Sequence, residues 1–192
     1  MNELTDYSGE YNPDIEYSSF SKDVLVKLLE EYARLYLLHD GLWNTRITRE
    51  FGPETAFAWG NEIWGHNYRN LSLPRISKLF NISGNDVLTA CKLIQLTPDG
   101  VATGGQYKYT SDVKNNNHVI WTITRCATLE YFEKNGMEKH ISGVCGVGGM
   151  EHVAIENYCH FVNPDIKVTA LKIPPRKSPD ELPCQWELKL EE

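Results

Sequence analysis

Five cysteines are the residues of this chain best suited to nucleophilic or metal chemistry: Cys91, Cys126, Cys145, Cys159 and Cys184. Their number is odd and no CxxC pair occurs, so reduced thiols are expected rather than a disulfide framework. Cys126 ends a predicted strand, Cys145 precedes a predicted helix, and Cys184 opens the last predicted strand. These three thiols, completed by His152 or Cys159, would form a tetrahedral zinc site. The alternative is that they are small buried apolar residues, as free cysteine usually is.

A nucleophilic thiol is the second chemistry that the sequence allows, and Cys145 is the best placed for it. The N-terminus of a helix lowers the pKa of a nearby thiol, which makes thiolate available at neutral pH. The following helix carries His152, Glu156 and His160 at steps of four along one stripe. This spacing predicts His152 as an acid–base group that Glu156 orients. An ordinary solvated helix face shows the same pattern, so that alternative stays open.

Aromatic side chains suggest a pocket for a flat small molecule. The candidate lining residues are Trp43, Trp64 and Trp121, with His39 as a titratable neighbour. Packing in the core is the alternative for the tryptophans, and a half-exposed side chain is the alternative for His39. The glycine-rich stretch 143–149 matches no phosphate-binding motif and holds no lysine, so it predicts a tight turn.

The elements that must position these residues begin with helices. Ser21 is suited to cap a helix that runs to about Glu50, and Gly52-Pro53 is typical of a stop followed by a new start. A third helix is expected near Ser72. A fourth helix is expected after the capping box Ser83-x-x-Asp86.

The period changes after the turn at residues 97–100, from helical spacing to alternation. Residues 106–114 and 118–125 predict a hairpin across an asparagine turn. Helices are then expected over residues 129–135 and 150–162. Strands are expected over residues 165–173 and, as the last element, from Cys184 to Leu190.

These elements predict a single α+β domain over residues 21–192. Its helical half, residues 21–96, is expected to pack on an antiparallel sheet that is accompanied by further helices in residues 97–192. Residues 1–20 contain five acidic residues and neither lysine nor arginine, which predicts a flexible acidic arm.

Charge and hydropathy argue against two classes of partner. The formal net charge is -7, and no basic stripe is present to collect phosphates, so nucleic acid is not the expected partner. No apolar run approaches the ~20 residues that span a bilayer, and the first residues lack a secretory signal. A cytoplasmic protein without a membrane partner is therefore expected. A small molecule is the expected ligand, and a homo-oligomer is compatible with the sequence.

Several segments together resemble a known family. They are Phe51-Gly52-Pro53-Glu54-Thr55-Ala56, residues 119–126, Tyr131-Phe132, Val144-Cys145, residues 163–166 and Cys184-Gln185-Trp186-Glu187-Leu188. Over about residues 22–190 the chain resembles the L-2-amino-thiazoline-4-carboxylic acid hydrolase-like family, and it is most similar to uncharacterised cytosolic relatives of that family. The resemblance implies hydrolytic opening of a small cyclic amidine that bears a carboxylate. It also implies Cys126, Cys145 and Cys184 as the positions to suspect.

The leading functional hypothesis is a hydrolase-like enzyme that cleaves a C–N bond of a small polar heterocycle of the cyclic amidine type. Either Cys145 or a water on a thiol-held metal, with zinc the expected ion, would be the nucleophile, and His152 would be the acid–base group. The alternative is a non-catalytic small-molecule-binding domain whose cysteines are structural or bind a metal. A third hypothesis is an accessory protein that acts through the acidic arm.

Overall fold

A computed structural model describes residues 3–100 and 107–191 of the chain. The described residues form seven α-helices and four strands in the order α1 (Lys22–Phe51), α2 (Pro53–Asn67), α3 (Leu73–Leu79), α4 (Val87–Ile94), β1 (Tyr107–Asn115), β2 (His118–Cys126), α5 (Ala127–Lys134), α6 (Glu138–Cys145), α7 (Met150–Val162), β3 (Lys167–Lys172) and β4 (Cys184–Lys189). A π-helical turn, Tyr68–Ser72, joins α2 to α3. The predicted α+β class is confirmed.

The four strands form one antiparallel sheet in the order β1-β2-β4-β3. Its inner face buries Val119, Trp121 and Ile123 of β2 with Trp186 and Leu188 of β4. Successive residues of a strand point to opposite faces of the sheet. The alternation of apolar and polar residues in the sequence therefore predicted which side chains are buried. Helices α4 and α7 pack against the sheet and complete the core.

The two edge strands are irregular and charged. The pairing of β1 with β2 shifts register at Lys108/Tyr109 and again between Val113 and Asn115. The pairing of β3 with β4 shifts between Ala170 and Lys172. Most of β1 is exposed to solvent, because its free edge has no neighbouring strand among the described residues.

The ends of the first helices follow the sequence signals. Ser21 Oγ accepts a hydrogen bond from the Val24 N–H at 3.4 Å, which satisfies one free donor at the start of α1. Gly52 ends this helix with a φ of 87°, a conformation that favours glycine, and Pro53 then opens α2.

Two local expectations are corrected. The cap of α4 is Asp86, whose Oδ1 accepts from the Thr89 N–H at 2.8 Å, and not Ser83, because the helix begins three residues later than a Ser83 cap requires. Helix α6 (Glu138–Cys145) was not predicted, and its last three residues lie in the stretch 143–149 for which only a tight turn was expected. The turn itself is short, and Gly149 approaches neighbouring backbone so closely that a Cβ there would lie 2.7 Å from the Gly143 carbonyl oxygen.

Residues 3–20 fold back beside the start of α1. Leu4 bridges to the chain near Phe20 through hydrogen bonds with Ser19 and Ser21, each 2.9 Å long. The Tyr17 and Tyr32 hydroxyls are 3.3 Å apart, which links this arm to α1. Most of its side chains remain exposed. Within the described residues, no helix combines the length and apolarity needed to cross a membrane.

Candidate active site

Three cysteines line one small cavity between the sheet and the helices α5–α7. Cys126, Cys145 and Cys184 surround a space of about 20 Å³, together with Tyr107, Glu151 and Trp186. A space of this size has room for roughly one water molecule. The sequence placed the three thiols at the ends of elements, and the fold brings those ends to one cavity.

The predicted zinc site is not assembled. Among residues 3–100 and 107–191, no group of three or more His, Cys, Asp or Glu side chains is placed to hold a metal ion. His152, the fourth proposed ligand, does not line the cavity. Its Nδ1 accepts a hydrogen bond from the Gly148 N–H at 2.9 Å, and its ring stacks on Trp186 with centroids 5.4 Å apart.

The predicted thiolate at Cys145 is also corrected. Cys145 is the last residue of α6 and lies five residues before α7 begins, so its helix presents a C-terminus, which disfavours negative charge. Burial is the main reason why the pKa of Cys145 is raised rather than lowered. Burial also raises the pKa values of Cys126 and Cys184, each to about 12. These thiols are therefore neutral at pH 7.

His152 and Glu156 lie side by side, as their spacing predicts. His152 Nε2 is 3.7 Å from Glu156 Oε1, and the histidine side chain is 13% exposed. No hydrogen bond between described residues joins His152 to Cys145. The predicted catalytic residues Cys145, His152 and Glu156 thus form a histidine–carboxylate pair and a separate, partly buried thiol.

The predicted aromatic pocket is not formed by its four proposed residues. Trp43 is 59% exposed on α1, where its Nε1 donates to His39 Nε2 at 3.1 Å. Trp64 is half-buried and donates to Asp40 Oδ1 at 3.1 Å. Trp121 lies in the core of the sheet. Trp43 and Trp64 lie on the helices α1 and α2, whereas Trp121 lies on the strand β2. The three tryptophans therefore belong to different layers of the fold.

Glu151 is the functional candidate that the sequence analysis missed. It lies in the first turn of α7, and the Tyr107 hydroxyl donates a hydrogen bond to its Oε2 at 3.0 Å. Burial raises the pKa of the Glu151 carboxyl to about 7, against the lowering effect of this hydrogen bond. Glu151 is four residues before Ile155 and eight before Cys159, both buried. A carboxylate on the apolar stripe of a helix was the signal that could have identified it.

A second acidic group, Asp99, accepts hydrogen bonds from two tyrosines. Its Oδ2 accepts hydrogen bonds from the Tyr68 hydroxyl at 2.7 Å and the Tyr158 hydroxyl at 2.6 Å. Burial, reinforced by the Asp99 charge, raises the pKa of both tyrosines. The same charge contributes to raising the pKa of Glu151, which indicates that the two carboxyl groups share one region of the interior. In the sequence, Asp99 had been interpreted only as part of a turn.

A row of aromatic rings in tilted and edge-on contact runs from α1 to Asp99. The ring centroids are 4.5 Å apart for Tyr158 and Tyr68, 5.3 Å for Tyr68 and Trp64, and 5.6 Å for Trp64 and Tyr36. Tyr36 is 40% exposed, so the row begins at the surface. It ends beside Asp99.

Comparison with known proteins assigns a family but no activity. A family of unknown function, DUF6125, matches residues 18–190. The chain belongs to this family. The matched range includes every helix and strand from α1 to β4, and both Asp99 and Glu151. No curated protein and no solved structure matches the chain.

The charge of the acidic region is not balanced by the side chains around it. Within the described residues, neither Asp99, Glu151 nor Asp40 takes part in an ion pair. Burial raises the pKa of the Asp40 carboxyl, and its partner is the neutral Trp64. Residues 101–106 add neither lysine nor arginine to the sequence between Asp99 and β1. Burial without an ion-pair partner favours the protonated form of a carboxyl group.

Proposed function

We propose that this chain is a hydrolase-type enzyme that cleaves a C–N bond in a small cationic nitrogen compound of the cyclic amidine class. The observation that carries the proposal is the half-buried Glu151 at the wall of a water-sized cavity, where desolvation raises the pKa of its carboxyl to about 7. A carboxyl with this pKa accepts and releases protons readily at neutral pH.

Hydrolysis of an amidine requires a proton to move from water to the leaving nitrogen. The water oxygen bonds to the amidine carbon, the ring C–N bond breaks, and one water proton ends on the nitrogen. Ionised Glu151 would take that proton from water and deliver it to the nitrogen, while the Tyr107 hydroxyl holds Oε2 in place. The nearby Asp99 would favour a positively charged substrate through its own negative charge.

Water is a better-supported nucleophile than a thiol in this proposal. The pKa of Cys145 is raised by burial, and no described residue accepts a hydrogen bond from its thiol in a geometry suited to a base. The cysteines would serve as the apolar wall of the cavity, which keeps Glu151 poorly solvated and its pKa high.

The resemblance to the L-2-amino-thiazoline-4-carboxylic acid hydrolase-like family supports the substrate class. An amidine is protonated at neutral pH, so it matches the uncompensated acidic region around Glu151 and Asp99. We further propose a cytoplasmic location, since all five cysteines are free thiols, which is the usual state in a reducing compartment.

The test is an assay of the purified chain with 2-aminothiazoline-4-carboxylate and related cyclic amidines. Mass spectrometry would follow a ring-opened product that has gained one water. We expect turnover that falls as the pH drops below about 7, because protonated Glu151 cannot accept a proton. Glu151→Gln should lower kcat by about 10²–10⁴-fold and remove this pH dependence.

Glu156→Gln is the matched control for this assay. Glu156 lies on the same helix, but its side chain is 38% exposed and does not line the cavity. It should retain turnover within about threefold of wild type. Equal loss of activity in both variants would contradict the role given to Glu151.

The second candidate is a non-catalytic domain that binds the same class of small molecule. The observation that favours it is the volume of the cavity, since about 20 Å³ admits a water molecule but no heterocycle without movement of the walls. Calorimetry with the same amidines separates the two functions. Binding without turnover, weakened by Glu151→Gln, would favour the binding domain.

A further inference from the structure

Helix α1 exposes far more apolar surface than its packing uses. It spans 30 residues, or roughly 45 Å, and packs chiefly against α2. Nine of its large side chains are two-fifths or more exposed: Val26, Leu29, Tyr32, Leu35, Tyr36, Leu38, Leu42, Trp43 and Phe51. In a soluble monomer, apolar patches of this extent are unusual and mark interaction surfaces.

Four leucines form a stripe on the side of α1 opposite Asp40, which accepts a hydrogen bond from Trp64 of α2. Leu28, Leu35 and Leu42 are seven residues apart, and Leu38 lies between the last two. Exposure rises along the stripe, from 50% at Leu35 through 58% at Leu38 to 71% at Leu42. Ala33, on the opposite side of the helix, is 5% exposed. Apolar residues at this spacing form the seam of paired helices.

We propose that this leucine stripe (Leu28, Leu35, Leu38 and Leu42) pairs with the same stripe of a second copy in an antiparallel homodimer. A two-fold axis near Leu35 places Leu28 of one copy beside Leu42 of the other. The same arrangement brings Asp23 of each copy close to Arg49 of the other. Opposite charges at both ends of the pair therefore favour this orientation over a parallel one.

The charge of α1 fits a second copy better than another partner. The helix contains five acidic and five basic residues, so it is formally neutral in a chain of net charge -7. Two copies can thus meet along α1 without the repulsion that their other surfaces impose. A lipid surface is disfavoured, because helices that lie on membranes carry a polar face rich in lysine and arginine.

The available area agrees with a dimer interface. If a large side chain contributes roughly 150–200 Å² when fully exposed, the nine exposed side chains of α1 offer on the order of 700–1,000 Å². A standard interface buries about 800 Å² from each partner. The stripe and its flanking aromatic residues supply most of that area without any other element. This proposal does not depend on the proposed function.

The test is sedimentation velocity of the full chain between 1 and 100 µM, concentrations chosen on the order of a moderate Kd. We expect a species of twice the 22.0 kDa mass of one chain. Leu38→Glu should weaken the dimer at least 100-fold, because it places two carboxylates in the seam. Leu79→Glu, the same change at a leucine that is 77% exposed on α3, should leave the dimer unchanged.

Two further outcomes would overturn the proposal. One is a wild-type chain that stays monomeric at every concentration. If that monomer also co-sediments with phosphatidylcholine–phosphatidylserine vesicles, the stripe binds a lipid surface instead. The other is a dimer that Leu38→Glu leaves intact. Disulfide cross-linking under mild oxidation, with Leu79→Cys as control, checks the antiparallel orientation. Leu35→Cys, at the two-fold axis, should cross-link strongly. Leu42→Cys should not, because the two copies of residue 42 lie 14 residues, or roughly 21 Å, apart in an antiparallel pair, whereas they would face each other in a parallel one.

Discussion

Helices α1 and α7 are both rich in apolar residues, yet they have opposite environments. Helix α7 is enclosed by α2, α4, α6 and β3, and it buries Ile155, Tyr158 and Cys159. Helix α1 leaves most of its large side chains in solvent. The enclosed helix carries a carboxyl group where water is scarce, which is a condition for acid–base chemistry. The open helix offers leucines where a partner can reach them. Apolar content alone therefore does not distinguish an enclosed helix from one that is exposed to solvent.

The largest expected effect is on stability, and it contrasts the two helices directly. Ile155→Ala should lower the free energy of unfolding by about 2–5 kcal/mol, since Ile155 is fully enclosed and its loss leaves a cavity. Leu42→Ala should change it by less than about 0.5 kcal/mol in dilute solution. Urea titration at 1 µM or below, where a moderate dimer dissociates, would measure both. If both variants lost the same free energy of unfolding, the Leu42 side of α1 would be covered within the monomer.

The pH dependence of stability sharpens the role of α7. Glu151 has a folded-state pKa of about 7, above its ordinary value of 4.5, so the folded state binds more protons between these values. The contribution of Glu151 to the free energy of unfolding is fully present below pH 4.5 and is lost as the pH rises through 7. The loss is on the order of 1–3 kcal/mol. Glu151→Gln should therefore be more stable than wild type at pH 8, by urea titration, and the difference should vanish near pH 4.

Thiol reactivity is expected to differ between buried positions and the exposed side of α1. Burial raises the pKa of every native cysteine, to about 11 at Cys91 and about 12 at Cys126. Iodoacetamide at pH 7 should thus label all five native thiols slowly. A cysteine introduced by Leu42→Cys should react at least tenfold faster in dilute solution. Rapid labelling of Cys145, followed by mass spectrometry of its peptide, would restore the thiolate hypothesis.

The smallest expected effect is that of removing residues 1–20. This arm touches α1 mainly near its start, through the Tyr17–Tyr32 contact, and its side chains are mostly exposed. Its deletion should shift Tm by no more than a few degrees in a thermal unfolding scan. A large drop would mean that the arm covers part of α1 and belongs to the folded body.

The sequence predicted those features that depend on neighbouring residues. The cap at Ser21, the break at Gly52-Pro53, the hairpin of β1 and β2 and the bounds of α7 each follow from local spacing. Helix α6 was missed because Ser142 and Gly143 weaken its helical signal, and packing against α2 and α7 compensates.

The candidate site depends on contacts that cross the sequence. Glu151 meets Tyr107 over 44 residues, and Asp99 meets Tyr158 over 59. No local pattern specifies such pairs. The thiols illustrate the same limit, because their convergence on one cavity was suggested by their positions at element ends, whereas their protonation depends on burial that only the fold determines.

The irregular edges of the sheet have a consequence for aggregation. A flat, unpaired edge strand is a template on which further strands add to form fibrils. Here the register shifts of β1 and β3, with Lys108, Lys114 and Lys172 beside them, interrupt both templates. Chains at high concentration should therefore meet through helices and remain in solution, even though each carries an extended apolar surface along α1.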